Sequence, residues 1–141
     1  MIFKNPMTYQ YLLDTNILSD FIKNPQGRVF RNLARVGSDT VCTSIIVACE
    51  LSFGAQKRNS PPLSDRIQSI LEHITVLPLE RPTHQYYGVL RCTLEQQGTP
   101  IGPMDLLIAA HALSLNLGSR LKRDKINGTV GRSAPHCPGL S

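Results

Sequence analysis

Three carboxylates in three different apolar settings carry most of the chemical potential of this chain. Asp14 closes the run Tyr11-Leu12-Leu13, Glu50 lies inside Ser44-Ile45-Ile46-Val47-Ala48-Cys49-Glu50-Leu51, and Asp105 opens Asp105-Leu106-Leu107-Ile108-Ala109-Ala110. An acid set beside leucine and isoleucine is costly to bury unless a cation or hydrogen bonds satisfy it. Acids from three separate elements could converge on a hard divalent cation with oxygen ligands. Such a cation lowers the pKa of water and stabilises the charge of an in-line displacement at phosphorus. The chemistry indicated is metal-dependent phosphodiester hydrolysis, and the sequence leaves one metal or two open.

Each acid alone has a plainer reading: Asp14 as a turn residue, Asp105 as a helix-start acid, Glu50 as half of a buried ion pair. Taken singly, the plainer reading is at least as good. Taken together, the metal reading gains, because none of the three has an obvious basic partner nearby in sequence.

The elements that must position these acids alternate between strand and helix. Tyr9 to Leu13 reads as a short buried strand, and Asn16 is placed to cap a helix through Ile17, Leu18, Phe21 and Ile22. Asn24-Pro25-Gln26-Gly27 breaks that helix. Val29, Leu33 and Val36 space a second helix that ends at Gly37. Thr40 to Thr43 predicts another strand, after which Ser44 is a good cap for a helix to about Lys57. Leu63, Ile67, Ile70, Leu71 and Ile74 recur at helical spacing after the Ser60-Pro61-Pro62 loop. Thr75 to Leu79 predicts a third strand, and a helix from about Pro82 to Gln97 follows. Pro103 suits the first position of the last helix, which runs to about Leu117.

This alternation predicts an α/β domain with a parallel sheet flanked by helices. Ligands of such a sheet collect at the carboxyl ends of its strands. Asp14 is at such an end. Asp105 is in a first helical turn, where the macrodipole favours negative charge. Glu50 lies about two turns beyond the Ser44 cap, so all three acids can face one crevice.

Bulk properties bound the function further. The 141 residues suffice for one domain with its own core, and 41% apolar content places the chain among globular proteins. The net charge of +5 is concentrated at the end of the chain: residues 118–141 hold five basic side chains against Asp124, leaving 10 basic and 9 acidic groups in the first 117 residues. We read the basic tail as a solvated surface segment. Cys42, Cys49, Cys92 and Cys137 show no metal-site spacing; Cys42 and Cys49 are expected to pack as small hydrophobes, in a reducing compartment. No signal-like apolar stretch opens the chain, and the run from Leu106 to Leu117 is too short to span a bilayer, so a cytoplasmic protein without membrane contact is expected. Met7 is a plausible alternative start.

The three acidic segments resemble the motifs of the PIN-domain family, and within it the VapC-type toxins of bacterial toxin–antitoxin systems. Leu13-Asp14-Thr15-Asn16 is similar to the first motif, Thr43-Ser44 with Glu50-Leu51 to the second, and Gly98 to Gly102 with Pro103 and Asp105 through Ala112 to the third. The resemblance holds in order and spacing over roughly residues 9–117. It implies a Mg²⁺- or Mn²⁺-dependent endoribonuclease with Asp14, Glu50 and Asp105 as catalytic and metal-binding acids. Thr15, Asn16 and Ser44 match the polar residues that position metal-bound water or hold the cluster by hydrogen bonds. It further implies inhibition by a VapB-like antitoxin, a homodimer, and a transfer RNA or ribosomal RNA substrate. Relatives with this form of the third motif include nucleases that cut initiator transfer RNA. His111 lies six positions after Asp105, rotated well off that acid's face, so a packing or capping role is expected rather than that of a general base. Met104 is placed to line the mouth of the site.

After Leu117 the pattern changes. Asp124 keeps an acid near the spacing of the family's fourth acidic or amide position, but Lys122 and Arg123 stand where a buried strand would want apolar side chains. The sequence therefore divides into a PIN-like domain over 1–117 and a divergent basic tail over 118–141, with an atypical or disordered C-terminal strand region and Asp124 a doubtful ligand. Intact acids favour an active ribonuclease; the altered tail favours a degenerate, inactive toxin that only dimerises or binds antitoxin. A third reading, phosphotransfer through Asp14 as nucleophile, lacks the second acid of an Asp-x-Asp motif.

Overall fold

The architecture comes from a computed structural model, which describes residues 11–115 and 118–119. Along the chain it contains β1 (Tyr11–Leu13), α1 (Thr15–Lys23), α2 (Arg28–Val36), a 3-10 turn (Ser38–Thr40), β2 (Val41–Ser44) and α3 (Ile45–Arg58). These are followed by α4 (Pro61–His73), β3 (Thr75–Leu77), α5 (Thr83–Gln96), α6 (Pro103–Ser114) and β4 (Gly118–Ser119). The strands form one sheet in the order β3-β2-β1-β4, and every pairing is parallel. In register, Leu13 lies beside Thr43 and Ser44 beside Leu77, so β2 and β3 end together, one position beyond β1.

The order carries a consequence for function. The chain moves outward from β1 through β2 to β3, then returns to place β4 on the other side of β1. In open parallel sheets the crevice for ligands lies at such a reversal, outside the strands' carboxyl ends. Asp14 is the residue that follows β1 there.

Local chemistry sets the element boundaries. Ser60 accepts from the Leu63 N–H and is followed by prolines at the first two positions of α4, where no intrahelical donor is needed. Asn59 closes α3 in the left-handed conformation (φ 48°), which asparagine tolerates. β3 stops at Leu77, two residues short of the predicted Leu79, because Pro78 has no N–H to continue the ladder. The cap of α1 is Asp14 and not Asn16: the helix begins at Thr15, leaving Asn16 exposed in its first turn.

The core lies on both sides of the sheet. Leu12 and Cys42 have no exposed surface, and Leu18 of α1, Val47 of α3 and Ile108 of α6 are equally enclosed. α6 is buried on nearly all sides from Leu106 to Ala112, which fits its run of small and aliphatic residues, and α5 packs along it. Burial pushes the Cys42 thiol up to about 12, so this cysteine is a packing residue. Cys49, expected inside, is exposed: Val47, Ala48 and Leu51 take the inward face of α3 and turn position 49 to solvent. Beyond position 117 the short β4 pairs with β1, with Gly118 beside Tyr11 and Ser119 beside Leu12. Asp124 and the remainder of the basic tail lie outside the described residues. No helix among the described residues is long and apolar enough to cross a membrane.

Candidate active site

Asp14 is the buried member of the acidic set, 3% exposed, and it serves two structural purposes at once. It ends β1, and its Oδ1 accepts the Ile17 N–H at 2.9 Å, capping α1. The cap occupies one carboxylate oxygen in this way. Burial raises the Asp14 pKa, the Ile17 N–H pulls it down, and the negative charges of Asp105 and Glu50 raise it again, with a net upward shift. The two acids lie 36 and 91 positions further along the chain, yet their charges disfavour ionisation of Asp14.

Glu50 stands in the second turn of α3, half-buried, and its Oε1 accepts from the Thr15 hydroxyl at 2.7 Å. This bond joins the first residue of α1 to α3 across the crevice. Asp105 is exposed in the first turn of α6, behind Pro103, and the open N-terminus of that helix offsets part of its charge. Met104 beside it is 47% exposed.

A second polar group lies beneath the acids. Ser44 ends β2, has no exposed surface, and its Oγ accepts from the Ile46 N–H at 3.1 Å. The same Oγ lies 2.8 Å from Nδ1 of His111, a residue only 1% exposed in the last turn of α6. Burial lowers the His111 pKa, while the backbone of Pro78 and the charge of Glu80 favour its protonated form. The neutral ring fits this setting: the Ser44 hydroxyl donates to Nδ1, and the ring proton resides on Nε2. No buried side-chain nitrogen or oxygen among the described residues lacks a partner.

Asp14 thus feels the charges of both Glu50 and Asp105. Thr15 touches Glu50 directly, Ser44 caps α3 from below, and Asn16 is exposed at the start of α1. Among the described residues no group of three or more His, Cys, Asp or Glu side chains is arranged to hold a metal ion. The donor set nevertheless suits a hard cation. It consists of carboxylate oxygens, and no ion pair among the described residues neutralises any of the three. The Ser44–His111 contact has no counterpart in the sequence reading. Its one available signal is a lone histidine inside Ile108-Ala109-Ala110-His111-Ala112, and nothing there identifies Ser44 as its partner.

Comparison with known proteins adds an independent line. The PIN domain family profile matches residues 11–125. The tRNA(fMet)-specific endonuclease VapC of Shigella flexneri is 34% identical over 109 residues, covering 77% of this chain and 82% of that protein. Ribonuclease VapC2 of Rickettsia felis is 34% identical over 108 residues, covering 75% and 81%. In three dimensions the chain is similar to VapBC2 from Rickettsia felis bound to a DNA fragment from its promoter. That match has a TM-score of 0.73 and 32% identity, over 77% of this chain and 84% of the other.

Proposed function

Because the chain belongs to the PIN-domain family, in its VapC-type branch, we propose that it is the toxin of a toxin–antitoxin pair and acts as a metal-dependent endoribonuclease. The observation that carries this reading is the buried Asp14 at the carboxyl end of β1, whose ionisation is opposed by the charges of both Asp105 and Glu50. A structure keeps three such acids together at a cost, and a divalent cation converts the cost into binding energy.

Asp14, Glu50 and Asp105 would hold Mg²⁺ or Mn²⁺, with Asp14 offering the oxygen not used by the Ile17 cap. The ion, when bound, supplies an activated water and stabilises charge on the scissile phosphate. Thr15 fixes the rotamer of Glu50 by its hydroxyl. Ser44 fixes the start of α3 and hence the height of Glu50 above the sheet. Met104 borders Asp105 as an exposed apolar surface against which a nucleotide can rest. The names of its relatives support structured RNA as substrate, with initiator transfer RNA as the sharpest form of the proposal.

The partner is a VapB-like antitoxin, as in the complexes of similar toxins. The described surface offers such a partner an apolar groove of about 510 Å³ between α1–α2 and α4, where Phe21 and Phe30 stack at 6.2 Å opposite Ile70 and Ile74.

Purified protein incubated with total bacterial RNA in Mg²⁺, Mn²⁺ or EDTA, beside an Asp14→Asn control, tests the reading. Discrete fragments that require both metal and Asp14 support it, and their mapped ends identify the RNA. Intact RNA from folded, antitoxin-free protein under every condition would leave a toxin that only binds its partners.

A further inference from the structure

The carboxyl ends of β1, β2 and β3 are linked by side chains that run across the sheet. The Thr43 hydroxyl donates to the Leu13 carbonyl at 2.8 Å, one residue before Asp14. One position on, Ser44 meets Nδ1 of His111 at 2.8 Å, and the backbone of Pro78, just past β3, favours a proton on the same ring. Thr83, the first residue of α5, ties that helix to the end of α6: its Oγ1 lies 3.2 Å from Ser114 Oγ, and within α6 the Ser114 hydroxyl donates to the His111 carbonyl at 2.7 Å.

These links lie below the acids, and they join the elements that carry them. α6 bears Asp105 in its first turn and His111 in its last; α3 bears Ser44 at its cap and Glu50 in its second turn. The His111 ring is buried, and the polar groups that act on it are Ser44, the backbone of Pro78 and the charge of Glu80.

We propose that His111 is a positioning residue of the acidic site: through Ser44 it locks α6 to the cap of α3 and so sets the separation of Asp105 and Glu50 around Asp14. Buried polar links of this kind have discrete geometries, unlike aliphatic packing, which tolerates small sliding. The inference rests on the metal-site reading above, and goes beyond it by assigning a role to a residue that does not face the crevice.

The test compares wild type with His111→Leu, His111→Gln and Ser44→Ala, using Mn²⁺ affinity by calorimetry and RNA cleavage as separate readouts. His111→Leu should weaken Mn²⁺ binding and lower kcat about tenfold, the range seen when partners behind metal ligands are removed, with KM for RNA little changed. His111→Gln, whose amide can accept from Ser44 and still donate, should recover most of the loss. Ser44→Ala should reproduce it, and the two losses should not add. If His111→Leu fails to fold, Ser44→Ala and the glutamine variant carry the comparison. Unchanged Mn²⁺ affinity in the folded variants, or losses that merely follow thermal stability, would overturn the proposal. Wild type that binds Mn²⁺ but leaves RNA intact would count against the nuclease alone, and the Mn²⁺ titrations would still decide the role of His111.

Discussion

Thr15 and Glu50 are joined by a 2.7 Å hydrogen bond that links the first turn of α1 to the second turn of α3. The donor is short and β-branched, so its rotamer is restricted, and the acceptor is a longer chain that would otherwise sample several positions. The bond therefore orders the glutamate more than it stabilises the fold. Thr15→Val is expected to lose about 1 kcal/mol of stability but to lower RNA cleavage by about an order of magnitude, as for an interaction that positions a reacting group. Thr15→Ser should restore cleavage. Parallel chemical denaturation and initial-rate assays check both halves, and a valine variant with full activity would contradict the assignment.

Asp14 separates a structural role from a chemical one. Asparagine retains an oxygen for the Ile17 N–H, whereas alanine does not, so Asp14→Ala should lose about 1 kcal/mol from the missing cap. The folded-state pKa of Asp14 is raised above its ordinary 3.8, first by burial and then by Asp105 and Glu50. A raised carboxylate pKa gives stability that is full below the unfolded value and is lost as pH rises through the folded one. Once the pH exceeds the folded pKa, the metal-free protein carries the penalty in full. Asp14→Asn removes the charge, and its Tm in EDTA should equal or exceed that of wild type while cleavage disappears. Equal destabilisation of the two variants would show that the carboxylate is satisfied without metal.

The sign reverses for His111. Burial lowers its pKa from the ordinary 6.5, so the stability it contributes is present above that value and is lost as pH falls through the lowered folded pKa. Wild type should lose stability on acidification from pH 7.5 through the range below 6.5, and His111→Gln should show a flatter profile over the same interval. Urea unfolding at a series of pH values measures the slope, and identical slopes would place the neutral ring in doubt.

Metal should act as a folding ligand. With Mn²⁺ at about a hundred times its dissociation constant, wild type should gain about 2.7 kcal/mol, read as a rise in Tm that EDTA reverses. Asp14→Asn should gain much less. Equal gains would locate the ion elsewhere.

Cys42 and Cys49 should differ in reactivity although seven positions apart. The Cys42 thiol is buried and shifted to about 12, whereas Cys49 is exposed on α3. A thiol reagent should modify Cys49 and Cys92 in the native protein and reach Cys42 only on unfolding, as peptide mapping after timed labelling would show.

Much of the fold was legible because it is locally encoded. Pro103 and the Ser44 cap mark helix starts through groups a few residues apart, and the strands around Leu12 and Cys42 read as short apolar runs, whereas Pro61 and Pro62, read as loop, form the first positions of α4. The three acids stood out for the same reason, each being a charge in an apolar neighbourhood. Boundaries were less secure where two polar residues competed, as when Asp14 and not Asn16 took the cap of α1. The inward face of α3 was equally closed to a short window, because Cys49 and Ala48 differ only by their rotation about the helix.

The sequence by itself determined which residues could do chemistry, an alternation of strand and helix, and a likeness to one family. Tertiary structure decided how those residues meet. Thr15 finds Glu50 across 35 positions, Ser44 finds His111 across 67, and Asp14 feels two charges from helices remote in the chain. Such pairings depend on strand order and helix packing, where a register shift of one residue turns a side chain to the opposite face of the sheet. Local propensity has no term for that choice; the burial of one common core makes it.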